Sequence, residues 1–200
     1  MNAITIGNFT LQVELLTFFI TIFAVSFMYK VIMKKSIGDW YFNAIIIYII
    51  IYKGSYIIFQ YDLFMKTPLS IVYFDGGWKG QIFAILGLAL YMMRITNKKT
   101  HMLSIDIVPA YFLFITIYSM IQQAFASHYI AAFIQILILS AYIWIYMKVK
   151  LAHENQMFIF FILVQAILLS FFNGLSTTDI LMLCLGVALF VLKTLKVEEQ

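Results

Sequence analysis

Between Leu103 and Met147 the chain carries one formal charge, Asp106, in otherwise almost unbroken apolar sequence. A single helix of that length would measure about 68 Å at ~1.5 Å per residue, more than twice the ~30 Å hydrocarbon core of a bilayer. The run must therefore fold back, and Ala126-Ser127-His128 is where its polarity allows a turn. A soluble domain keeps roughly 25% charged residues to solvate its surface. This chain has 11%, against 64% hydrophobic, so lipid is the expected solvent for most of it. The expected fold is all-α: a polytopic integral membrane helical bundle forming a single transmembrane domain over residues 1–200.

Seven spans are predicted, at residues 9–33, 40–60, 77–93, 103–126, 128–147, 156–172 and 179–195. A polar stretch from Tyr61 to Asp75, with Pro68, separates the second from the third, and Asn173-Gly174 with Ser176-Thr177-Thr178 turns the chain before the last. Basic residues set the orientation, because cytoplasmic loops retain Lys and Arg. On one side fall Lys30, Lys34, Lys35, Arg94, Lys98, Lys99, Lys148, Lys150, Lys193 and Lys196; on the other fall only Lys66 and Lys79. The first group is expected in the cytoplasm, which puts the N-terminus outside and the C-terminus inside. The net charge of +4 comes from these loop clusters, so no nucleic-acid surface is expected. Residues 1–8 lack Lys and Arg, and no small-residue cleavage site follows the first block, so a cleaved signal peptide is not expected. Cys184, the one cysteine, excludes an intrachain disulfide and reads as small apolar filler.

Polar groups inside a bilayer are candidates for function, since a charge at its centre costs about 2.5–3.5 kcal/mol on insertion scales. Glu14 and Lys53 each lie about two turns below the outer end of their span. Gln81 opens the third span, Gln122 and Gln123 close the fourth, and Gln135 and Gln165 lie in the outer halves of the fifth and sixth. The inner half holds little beyond Asn43 and Asp106. This asymmetry predicts a polar, outward-open cavity, with each glutamine alternatively bonding a neighbouring helix. Glu14 and Lys53, at matched depth, are expected to pair or to share that cavity. In Asp75-Gly76-Gly77-Trp78-Lys79-Gly80-Gln81, the row Gly76, Gly80, Ala84 predicts close helix packing, and its glycines could also bring backbone amides to a lipid headgroup. Trp78 reads as an interface anchor. His101, His128 and His153 fall in separate loops and cannot converge on a metal. No nucleotide-binding glycine loop, nucleophile elbow or metalloprotease helix motif occurs, and no cofactor is expected.

Along nearly its whole length the order of features resembles the prolipoprotein diacylglyceryl transferase family. The carriers are Ile6-Gly7-Asn8-Phe9-Thr10 before the first span, Lys53-Gly54 in the second, and Asp75-Gly76-Gly77 before the third. Asp106-Ile107-Val108-Pro109 follows the third span's basic loop, and 179–195 resembles the final span. The chain departs from the family where chemistry is carried. The signature histidine falls on Gln81, and a Gly-Arg-x-x-Asn motif falls on Ser119-Met120 with Gln123 at its asparagine. A tyrosine falls on Glu14, the arginine near span six has no counterpart around Gln165, and the head between spans four and five shrinks to Ser127-His128.

The resemblance implies a seven-span protein of the bacterial cytoplasmic membrane. Its reaction would move a diacylglyceryl group from phosphatidylglycerol to a lipobox cysteine, which needs a positioned cation and an activated sulfur. Only Lys53 and Lys79 remain as cations, and only Glu14 as a base. The expectation is a head-less, catalytically degenerate relative that binds phospholipid, such as phosphatidylglycerol, or a lipoprotein or small membrane protein partner. An active transferase using Glu14 and Lys53, and a small-molecule transporter, are the alternatives.

Overall fold

The computed structural model describes residues 3–6, 9–74, 76–98, 103–148, 154–173 and 175–198. The chain opens with an antiparallel ribbon of β1 (Ala3–Ile6) and β2 (Phe9–Gln12), in which Ile4 pairs with Leu11 and Ile6 with Phe9. This corrects the expected start of the first span at residue 9: the helix α1 is Val13–Met33. The segment alternates apolar Ile4, Ile6, Phe9 and Leu11 with β-branched Thr5 and Thr10, a period-two pattern that suits a strand and not a helix.

The remaining helices are α2 (Asp39–Phe59), α3 (Tyr61–Lys66), α4 (Ser70–Tyr73), α5 (Gly77–Lys98), α6 (Val108–Phe125), α7 (Tyr129–Lys148), α8 (Glu154–Asn173) and α9 (Thr177–Glu198). A five-residue π-helical turn, Leu103–Ile107, leads into α6, whose first turn holds Pro109 where no backbone N–H is needed. The turn at Ser127 takes a positive φ of 63° between α6 and α7, so the long apolar run does fold back there. Two short helices, α3 and α4, occupy the stretch expected to be merely polar.

Among the described residues six helices are long and apolar enough to cross a membrane, by length and composition, where the sequence predicts seven. The exception is α5, diluted by Lys79 and Gln81 at one end and Arg94 and Asn97 at the other. Large apolar side chains face outward along these helices: Phe23 and Phe27 on α1 are 69% and 68% exposed. Contiguous exposure of that kind is unfavourable in water and is what a lipid-facing surface requires. The chain fits a multi-pass helical membrane protein.

The helices gather into two compact units. In the first, residues 1–37 and 105–174, α6 is the core element and packs against α1 and α7. Its buried Val108, Tyr111, Phe112, Leu113 and Ile115 explain why this span, unlike the others, is mostly shielded. Phe112 anchors an aromatic cluster, with ring centroids 4.1 Å from Phe161, 4.8 Å from Tyr142 and 5.0 Å from Phe158. In the second unit, residues 38–104 and 175–200, α5 packs against both α2 and α9. Ala84 is fully buried, and a Cβ added at Gly76 or Gly80 would run into the Ser55 hydroxyl, while one at Gly87 would strike Ile51. The small-residue row therefore does what its spacing predicts, letting α5 approach α2 closely.

Candidate functional site

Among the expected site residues, Lys53, Gly76, Gly77, Lys79 and Gln81 belong to the second unit, at and around the start of α5. Lys53 extends from α2 to donate a hydrogen bond from Nζ to the carbonyl oxygen of Phe74, at 3.1 Å. The segment it holds is tied to α2 twice more: the Tyr56 and Ser70 hydroxyls share a 2.9 Å hydrogen bond, and the Tyr56 and Phe74 rings stack with centroids 6.2 Å apart. Tyr56 is almost fully buried, so these ties form a fixed floor beneath the returning chain.

Gly77 begins α5 with φ +59°, a left-handed conformation open to glycine at little cost. Apart from its chain neighbours and its own helix backbone, no described heavy atom lies within 4 Å of where its Cβ would stand, so the backbone rather than crowding calls for glycine. Two residues on, Lys79 is exposed, and its Nζ lies 5.6 Å from the centroid of the Phe59 ring and 5.9 Å from that of Trp78. An ammonium over two aromatic faces is held as a cation near solvent. Trp78 is exposed as well, as an interface anchor would be.

Gln81 donates from Nε2 to the Thr178 hydroxyl on α9 at 3.3 Å. The start of α9 is itself capped. Ser176 Oγ accepts from the Asp179 N–H at 3.1 Å, and the Asp179 carboxylate accepts from the Ser176 hydroxyl at 2.6 Å and the Ser176 N–H at 3.1 Å. This is a reciprocal capping arrangement of the Ser-x-x-acid type, and it was readable from the spacing Ser176-Thr177-Thr178-Asp179. Asp75 lies outside the described residues.

The other candidates lie in the first unit. Gln135 on α7 and Gln165 on α8 exchange two hydrogen bonds, each 3.0 Å, and are 2% and 0% exposed. A reciprocal amide pair uses an acceptor and a donor from each side chain, so burial in an apolar setting leaves little unsatisfied. Gln123 is buried near the end of α6, and its Oε1 has no hydrogen-bond partner among the described residues; Gln122 beside it is half-buried. Glu14 is exposed on the first turn of α1, in the first unit, whereas Lys53 belongs to the second.

One ionic cluster escaped the sequence reading. Asp106 Oδ1 accepts from the Tyr29 hydroxyl and from Lys35 Nζ, both at 2.6 Å, tying the end of α1 to the π-helical turn before α6. The available signal was weak: a lone carboxylate in an apolar run, with lysines far away in sequence. His101 and His153 lie outside the described residues, and His128 donates its backbone N–H to the Gln123 carbonyl. Among the described residues no group of three or more His, Cys, Asp or Glu is placed to hold a metal ion. The chain matches no family model, no curated protein and no solved structure.

Proposed function

We propose that the chain is a seven-crossing protein of the bacterial cytoplasmic membrane, N-terminus outside, that binds phospholipid at the outer ends of α2 and α5 without transferring any part of it. On this reading α5 is the seventh crossing. Its 22 residues reach about 33 Å at ~1.5 Å per residue, long enough for the hydrocarbon core, and its polar residues cluster at its two ends. Lys79 then stands at the outer surface and Arg94 at the inner one, as the distribution of loop lysines requires.

The observation that carries the functional reading is the use made of Lys53 and Gln81. At the two positions where the resembled transferases place a cation and a histidine, this chain spends side-chain hydrogen bonds on its own fold, to Phe74 and Thr178. A glutamine amide cannot take a proton at neutral pH, and a lysine lacks the bidentate fork of arginine for phosphate. Exposed Lys79, steadied over Phe59 and Trp78, supplies a cation for an anionic headgroup. This arrangement suits holding a lipid, not cleaving one.

Two outcomes are expected together. Production of the chain in bacteria depleted of prolipoprotein diacylglyceryl transferase leaves growth unrescued, and the protein purified in mild detergent carries phosphatidylglycerol detectable by mass spectrometry. Lys79→Ala lowers the amount carried. Loss of one transition-state contact commonly lowers rate by ~10²–10³, and here several are missing together. Rescue of growth would establish an active transferase instead, and lipid-free protein would remove the binding role.

A further inference from the structure

The chain between α2 and α5 displays large apolar side chains that remain more than half exposed. Leu69 is 80% exposed, and Leu63, Met65 and Phe74 are each more than half exposed, as are Tyr61 and Trp78. These side chains are not loose ends of a wandering loop. The Tyr56–Ser70 hydrogen bond, the Lys53–Phe74 hydrogen bond and the Tyr56–Phe74 stacking fix one side of the segment against α2. Thr67 closes α3 by donating its hydroxyl to the Leu63 carbonyl at 3.2 Å. What is left outward is an apolar surface with Asp62, Lys66 and Thr67 interleaved, all exposed.

We propose that residues 61–74, together with Trp78, form a surface element that lies in the outer-leaflet interface of the membrane the protein spans. In it, Leu63, Met65, Leu69 and Phe74 rest among acyl chains and Lys66 sits at the level of anionic headgroups. The proposal rests on the outside placement of this segment given above. Lipid is the occupant, and not a second protein, for reasons of continuity and charge. The segment follows α2 at Phe59 with one intervening residue and meets α5 at Gly77, so both its ends are at a membrane boundary. Ile58 at the end of α2 is 76% exposed and Phe83 in the second turn of α5 is 54% exposed, so the apolar surface of the segment continues a lipid-facing one. Lys66 and Lys79 offer ammonium groups to anionic headgroups in a stretch that Asp62 and Asp75 leave without net charge, and long lysine stems reach from an apolar surface to the charged layer. Trp78 at the end of the segment suits the same layer.

The test uses the full chain with Cys184→Ala, reconstituted in phosphatidylethanolamine–phosphatidylglycerol vesicles. Nitroxide labels go on cysteines placed singly at Leu63, Met65 and Leu69, with Asp62 and Thr67 as neighbours for comparison and Phe23 and Ile50 as mid-span references. All seven positions are outward-facing, so labelling leaves the packing intact. Collision with oxygen relative to a water-soluble nickel chelate should be severalfold higher at Leu63, Met65 and Leu69 than at Asp62 and Thr67, approaching the value at Phe23 and Ile50. Chelate access equal at all five segment positions would mean the segment stands in water, and protection from both reagents would mean protein covers it. Either result, with lipid-like references, overturns the proposal alone; water-like references would overturn the membrane placement itself.

Discussion

Alanine in place of Gly80 is expected to destabilise the protein by about 1–3 kcal/mol, the usual range for overfilling a well-packed contact. The added methyl would occupy the position of the Ser55 hydroxyl, which is buried and donates to the Tyr52 carbonyl at 2.7 Å. Rotating that hydroxyl away breaks its hydrogen bond to Tyr52. Adding Ser55→Ala removes the obstructing oxygen and should return most of the loss. The Ser55→Ala change alone should cost less, within the ~0.5–1.5 kcal/mol net value of one hydrogen bond. Gly76→Ala should be harder to rescue, because its new carbon would also stand 3.0 Å from the Gly80 Cα, a backbone atom that cannot turn aside. Unfolding in mild detergent, followed by helical circular dichroism, reads all four variants. A double variant as unstable as Gly80→Ala alone would show that the α2–α5 approach is not limited by this contact.

A larger non-additivity is expected at Gln135 and Gln165. Gln165→Leu leaves the Gln135 carboxamide buried with its oxygen and its nitrogen both stripped of their partner. Each buried polar group left unmade costs about 1–3 kcal/mol, whereas replacing both partners by apolar groups of similar size can be nearly neutral. Either single leucine variant should therefore be less stable than the double, even though all three lose the same two hydrogen bonds. The pair also joins α7 to α8 in a unit where α6 supplies most other burial. If the double variant were the least stable of the three, the two amides would be acting independently and their mutual bonding would contribute little.

The helices were legible because the bilayer imposes one requirement, about 20 apolar residues in a row, that composition satisfies without help from tertiary contacts. The same signal blurred at the first span. Phe9 and Leu11 are as apolar as the helix that follows, so hydropathy could not separate ribbon from α1, and only the alternation with Thr10 and Gln12 could. It blurred again at α5, which, unlike six other helices among the described residues, is not apolar enough along its length to be marked as a crossing. The short helices α3 and α4 run for too few residues to show a period.

Within the candidate site, local patterns were the readable part. The row Gly76, Gly80, Ala84 announced a close helix contact, because that depends on spacing along one segment, whereas the cap of Ser176 on Asp179 was passed over as part of a turn. That a glutamine would bond a neighbouring helix was readable for Gln135 and Gln165, but which partner each would take was not, since glutamines were available on several spans. The bond from Lys53 to a backbone carbonyl, and the gathering of Tyr29 and Lys35 on Asp106, depend on tertiary proximity that spacing does not encode.

Everything proposed for the outer ends of α2 and α5 depends on whether α5 crosses the membrane. Six crossings and seven crossings put the later turns on opposite sides, so one labelling experiment separates them. In intact cells producing the Cys184→Ala chain, single cysteines go at Asn97, Ser127 and Thr177, all exposed at helix ends or turns. Seven crossings with the N-terminus outside predict that an impermeant thiol reagent labels Ser127→Cys and Thr177→Cys, and that Asn97→Cys reacts only after the membrane is opened. Labelling of Asn97→Cys in intact cells, with protection at Ser127→Cys and Thr177→Cys, would contradict it.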